Sequence, residues 1–308
     1  MARDTSKRRD VSGILLLDKP TGISSNKALQ TAARLFNARK SGHTGSLDPL
    51  ASGMLPLCFG EATKVSGFLH EADKSYAVTA RFGVVTDTGD SDGDVVECRD
   101  GARPDDAELR AALDGFRGEI DQVPPMYSAL KHKGQPLYKL ARAGKEVERK
   151  SRRVNIRELE LVAHEADECQ LTVVCSKGTY IRSLVVDLGE KLGCGAHVTQ
   201  LRRLWVNPFQ GQPMVTLEQL EAQQNVATGA CDGLLLGVDS ALDFPQLELG
   251  HEQAAKLRSG QLVFGPEHLR VDDHVLLYAP GRVFLGIGIG KPGGFVAPKR
   301  LIRADACT

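Results

Sequence analysis

Apolar and polar positions along the chain fall into runs and alternations that predict a mixed α and β fold. Residues 13–17 form a short apolar run, read as a buried strand that ends in Asp18-Lys19-Pro20. Ser24 or Ser25 can cap a helix running to about Arg39, with Ala28, Ala32, Leu35 and Phe36 on one face. Residues 54–59 are a second apolar run, and 61–71 read as a helix with Val65, Phe68 and Leu69 inward. Residues 74–82 alternate, which sets Tyr76, Val78, Ala80 and Phe82 on one side of a strand. Helices are predicted over 104–116, 180–192 and 217–224, and strands over 154–163, 171–176 and 196–206. Between them, 123–153 is irregular. From about Phe244 a smaller unit begins, with a helix over 251–259 and glycine-rich strands through Tyr278 and Arg282 to Ile302.

At 308 residues the chain divides naturally into two units, and its 42% apolar and 25% charged residues are those of a globular protein. No apolar run approaches the length that crosses a bilayer, and the basic, polar first ten residues do not read as a secretory signal. A cytoplasmic protein with a mobile N-terminal arm, 1–12, is expected. The seven cysteines are scattered without a C-x-x-C pair, which argues against a disulfide framework or a zinc site.

Net charge is zero, yet it is unevenly spread. Residues 131–157 hold ten Lys/Arg against Glu146 and Glu148, a local +8 that the remainder balances. Such a patch is the footprint of a polyanion site, and Leu137, Tyr138 and Leu140 interleave with it as in an RNA-contacting segment.

Several chemistries fail on spacing. Gly286-Ile287-Gly288-Ile289-Gly290-Lys291 lacks the first glycine and the hydroxyl residue of a phosphate-binding loop. No His-Glu pair is followed by the second histidine of a zinc protease, and no G-x-S-x-G elbow occurs. The acidic run 86–94 lacks the twelfth-position glutamate of a calcium loop and reads as a turn-rich, site-adjacent loop. What stands out is Ser41-Gly42-His43-Thr44-Gly45-Ser46-Leu47-Asp48-Pro49, a shaped loop carrying one carboxylate and anchored by the apolar run behind it.

His43-Thr44-Gly45-x-Leu47-Asp48-Pro49, with Gly60-Glu61-Ala62-Thr63-Lys64 behind it, resembles the signature of the bacterial tRNA pseudouridine-55 synthases, the TruB family. Four further stretches match in order: 15–22, Lys74-x-Tyr76, 175–182, and 193–197 through Leu201-Arg202-Arg203-Leu204. The resemblance implies an α+β pseudouridine synthase catalytic fold over 13–243, with a mixed, mostly antiparallel sheet, flanking helices and an RNA-clamping insertion at about 124–153. It implies a small PUA-like RNA-binding β-barrel over 244–308. The implied reaction is isomerisation of uridine 55 in the T-loop of tRNA, needing no cofactor and no metal, because nothing is oxidised and no group is lost.

Residue by residue, the resemblance makes Asp48 the essential nucleophile, by attack on sugar or base or through elimination. Tyr76 would lie against the uracil near C5, and Arg182 would hold Asp48 ionised. Tyr180 and Leu201 would line the pocket for the flipped base, and His43 would fill the space that base vacates. Lys19 and Lys64 are expected near the pocket or the RNA backbone. The implied partner is the tRNA T-arm alone, bound by a monomer with no obligatory protein partner and no membrane. The competing readings are a related guide-RNA-dependent synthase and an RNA-folding chaperone whose pocket is incidental.

Overall fold

The computed structural model describes residues 8–101, 103–227 and 229–303. In chain order the first unit runs β1 (Gly13–Lys19), α1 (Ser25–Leu35), β2 (Ser41–His43), β3 (Ser52–Phe59), α2 (Ser66–Glu71) and β4 (Lys74–Phe82). It continues with β5 (Val84–Thr86), β6 (Val95–Cys98), α3 (Asp106–Asp114), β7 (Gly118–Gln122), β8 (Lys131–His132), β9 (Gln135–Pro136) and α4 (Leu137–Arg142). Then come β10 (Arg152–Glu165), β11 (Glu168–Cys175), α5 (Ile181–Lys191), β12 (Ala196–Val206) and α6 (Leu217–Gln224).

Eight of these strands form one sheet in the order β1-β3-β12-β4-β11-β10-β7, with β2 added to β3. All pairings are antiparallel except the short parallel pairing of β12 with β3. That close approach needs Gly53, which pairs with Arg203 and has φ +98°; a Cβ there would lie 2.2 Å from the Arg203 carbonyl oxygen. Helices α1, α3 and α5 bury Ala28, Leu29, Leu109, Leu113, Leu184 and Leu188 in the same core as Leu15, Leu55, Val78 and Val198.

A second sheet follows: β13 (Gln246–Glu248), β14 (Val263–Phe264), β15 (His274–Ala279), β16 (Val283–Lys291) and β17 (Phe295–Leu301), with α7 (His251–Arg258) packed on it. The strand order is β13-β15-β16-β17-β14. A shared cluster joins the two units, in which Ile14, Met54 and Leu69 meet Leu276, Tyr278, Phe284 and Ile302.

Local chemistry explains where elements start and stop. Ser24 caps α1 by accepting from the Lys27 amide, and the helix stops at Leu35, short of the expected Arg39, because Asn37 turns to φ +48°. The helix expected over 61–71 is a 3-10 turn, Gly60–Lys64, and then α2, separated at the buried Val65. Strand β7 went unpredicted: Gly118–Gln122 is largely polar and lies at the sheet edge, so it carries no apolar alternation.

The arm expected over 1–12 is partly docked. Residues 1–7 lie outside the described residues. Beyond them the Arg9 amide donates to the Asn37 carbonyl, the Arg9 side chain pairs with Asp232, and Val11 is buried. In the insertion, Leu137 and Leu140 face inward and only Tyr138 is exposed, so the two leucines stabilise α4 and present no surface to RNA.

Candidate active site

The Asp48 loop is held from both sides. The Ser25 hydroxyl accepts from the Leu47 amide (2.7 Å) and donates to the Leu47 carbonyl (3.0 Å), while the Gly22 amide donates to the Pro49 carbonyl at 2.8 Å. The carboxylate so presented keeps 38% side-chain exposure, and its Oδ2 lies 2.9 Å from Arg182 Nε.

Arg182 enters at the start of α5 and is only 4% exposed. Its Nη1 donates to the Thr88 carbonyl and its Nη2 to the Tyr127 carbonyl, both at 2.7 Å. The same Nε lies 3.4 Å from Asp90 Oδ2. Asp90 is itself fixed by the Thr88 hydroxyl (2.6 Å) and the Asp92 amide (3.1 Å). The acidic loop 86–94 thus delivers a second carboxylate to the same guanidinium. Burial lifts the Asp48 carboxyl above its ordinary value; Arg182 and Lys19 pull it down, and Asp90 adds to the lift.

Asp48 opens onto a cavity of about 370 Å³ lined also by Tyr76, Tyr180, Leu201, Lys74, His70 and Arg203. Tyr76 is buried on β4, and burial pushes its phenol upward while Arg203, its cross-strand neighbour, works the other way. The Tyr180 backbone is clamped by the buried Gln122 amide, which accepts from its N–H (2.7 Å) and donates to its carbonyl (3.0 Å). Among the described residues, no group of three or more His, Cys, Asp or Glu is arranged to hold a metal ion.

The structure brings Asp48, Tyr76, Tyr180, Arg182 and Leu201 to one cavity. Lys19 lies just behind, fully buried, its ammonium donating to the carbonyls of Pro20 (2.8 Å) and Ile23 (2.7 Å); burial lowers it to about 8. His43 stands on β2 with a buried Nδ1 that lacks a hydrogen-bond partner, and burial lowers its ring. Lys64 stands apart from the pocket half of its expectation. It is not at the cavity, because its ammonium is taken by Glu61 (2.5 Å) and by the Leu301 carbonyl of the second sheet (2.9 Å).

Asp90, Gln122, Lys74 and Arg203 escaped the sequence reading. Two of them were within its reach: Lys74 and Tyr76, like Leu201 and Arg203, sit two positions apart on a strand and therefore share a face.

Comparison with known proteins bears on this arrangement. The chain matches the model of the TruB family pseudouridylate synthase (N terminal domain) over 33–181. It matches the tRNA pseudouridylate synthase B C-terminal domain over 182–243 and Pseudouridine synthase II TruB, C-terminal, over 245–302. It is 54% identical over 312 residues to the tRNA pseudouridine synthase B of Stutzerimonas stutzeri, covering 99% of this chain and 100% of that one. To the tRNA pseudouridine synthase B of Shewanella denitrificans it is 52% identical, covering 98% and 97%. Its fold is similar to a chain in the crystal structure of a Cbf5-Nop10-Gar1 complex, with TM-score 0.74, 23% identity and coverage of 98% and 88%. With family models tiling most of 33–302 and relatives more than half identical from end to end, the chain belongs to the TruB family of pseudouridylate synthases.

Proposed function

We propose that this protein isomerises uridine to pseudouridine in tRNA, acting on uridine 55 of the T-loop, with Asp48 as nucleophile. The observation that carries the reading is the Asp48–Arg182 pair, 2.9 Å apart, at a cavity walled by Tyr76, Tyr180 and Leu201. The reaction breaks the N1–C1′ bond, turns the uracil over and joins C5 to C1′, so it needs a reactive carboxylate, a confined space and an acceptor for the C5 proton. Asp48 supplies the first. Tyr180, Leu201 and the ring of Tyr76 confine the base, and the Tyr76 phenol takes the C5 proton, directly or through water.

Folded RNA hides its bases, so the target uridine is extruded from the T-arm at a cost of a few kcal/mol. The basic insertion offsets part of that cost by pairing with phosphates. Lys133, Lys139, Lys145 and Lys150 are exposed on it, and the Tyr127 hydroxyl ties its base to Asp87 at 3.0 Å. The chain acts alone on the T-arm, as a cytoplasmic monomer.

The test is release of tritium from tRNA carrying 5-tritiated uridine, with purified protein and no additive, followed by mapping of the modified position. Tritium release and a single pseudouridine in the T-loop are the expected result. Binding without release would leave only the RNA-chaperone reading, and modification elsewhere would overturn the site.

A further inference from the structure

Arg203 is 1% exposed, among the largest fully buried side chains, and it lines the cavity. Among the described residues no carboxylate lies within ion-pair distance of it. Its Nε donates to the Met54 carbonyl (2.6 Å) and its Nη2 to the Gly45 carbonyl (3.2 Å). Tyr76 is its direct partner across the β12–β4 register and lines the same cavity, which sets the guanidinium beside the phenol. A buried guanidinium without a counter-charge is costly, and its field is not cancelled locally.

We propose that Arg203 is a positioning residue for Tyr76: packed against it across the strands, the guanidinium holds the phenol over the cavity and supplies the positive charge that lets it take the C5 proton. The proposal rests on the isomerase reading above. After C5 has joined C1′, the C5–H bond breaks and its electron pair restores the C5–C6 double bond, while the C6–N1 π pair moves onto N1, which takes a proton from water. The proton passes to the ionised oxygen of Tyr76, whose own proton has gone to water, and the neutral phenol later returns it to water. Nothing is oxidised or reduced.

Burial leaves the phenol above its ordinary value even with Arg203 beside it, and Arg203 is the group that opposes this, so its removal makes ionisation harder still. The other groups facing the pair are Cys175 on β11, Lys74 on β4, Asp48 across the cavity, Lys19 on β1 and His43 on β2. Cys175 is itself pushed up to about 11 by burial and stays a neutral thiol. Lys74 donates to the Ala72 and His70 carbonyls and is thereby turned away from the phenol.

The test is a cycle of Arg203→Met, Tyr76→Phe and the double variant, with Arg203→Lys as the conservative control. Full-length tRNA with protium or deuterium at C5 of the target uridine is the substrate. Arg203→Met should lower kcat about 10²-fold, within the range for general-base steps, with KM within about twofold. The rising limb of its kcat–pH profile should move to higher pH, and a primary isotope effect at C5 should appear. Arg203→Lys should recover part of the rate. The double variant should be no slower than Tyr76→Phe, since the two act as one unit.

Additive losses in the cycle, or an unmoved pH profile without an isotope effect, would make Arg203 merely structural and overturn the proposal. Should Arg203→Met fail to fold, the same cycle run with Arg203→Lys decides between these outcomes. A wild-type protein that forms no pseudouridine would instead sink the isomerase reading itself.

Discussion

Two arginines line the same cavity, both almost fully buried, in opposite electrostatic company. Arg182 meets two carboxylates, Asp48 and Asp90, and two carbonyls; Arg203 meets two carbonyls and lies across the strands from Tyr76. The first charge is balanced, so it fixes geometry and works against the burial that lifts the Asp48 carboxyl. The second is unbalanced, so it acts on the nearest polarisable group. One wall of the site is a preset ion pair and the other a standing positive potential, a division suited to a reaction that starts on a carboxylate and ends with a proton leaving carbon.

The sharpest way to break this comparison is at Asp48. Asp48→Asn is nearly isosteric and should lower kcat by about 10⁴-fold, with tRNA affinity preserved and Tm moved by no more than about 4 °C. Activity close to wild type would remove the nucleophile from the scheme.

Next comes Arg182→Met, which strands Asp48 and Asp90 beside each other. Leaving buried charge unpaired should cost about 3–5 kcal/mol of stability, read by denaturant unfolding. Arg203→Met leaves no acid stranded and should cost less than Arg182→Met in the same measurement. Equal losses would erase the contrast.

The unbalanced charge also reaches Lys74, lowered to about 8 by burial first and Arg203 second. Its ordinary value is 10.5, so between the two the folded state holds fewer protons than the unfolded one. Wild type should therefore gain stability relative to Lys74→Met as pH rises from about 8 to 10.5, and lose that gain as pH falls through 8. The ceiling is about 3 kcal/mol at 1.36 kcal/mol per pH unit. A gap between the two proteins that ignores pH would show that Lys74 does not titrate low.

The smallest effect is expected away from both walls. Neutralising Lys145, Lys150 and Arg152 on the insertion should flatten the salt dependence of tRNA binding, by about 0.7–0.9 in slope for each phosphate left unneutralised, with kcat unaltered. Arg149 belongs in a separate variant, because it donates to the Pro124 carbonyl and supports the loop. An unchanged slope would take the insertion out of the interface.

Much of the fold is legible in the sequence. Strands β4 and β12 carry strong apolar patterns and lie where the alternation puts them, as do α5 and α6 to within a residue. The loop around Asp48 announces itself through glycine, proline and a single acid. Other features were hidden for physical reasons. Strand β7 depends on pairing with β10 and has no apolar face of its own. Asp90 looks like one turn acid among several until α5 brings Arg182 beside it, across 92 positions of chain. Lys64 resembles a substrate-facing cation in sequence, and only the position of Leu301 shows what it holds.

The clamp around Glu61 has a consequence for how the molecule is made. This buried carboxylate receives the amide of Arg303, a residue synthesised 242 positions after it. Glu61 therefore has its full set of partners only when the end of the second sheet is in place; without it the carboxylate keeps Lys64. The two units are thus mutually dependent at this seam: the second sheet supplies the partner that completes a buried acid of the first.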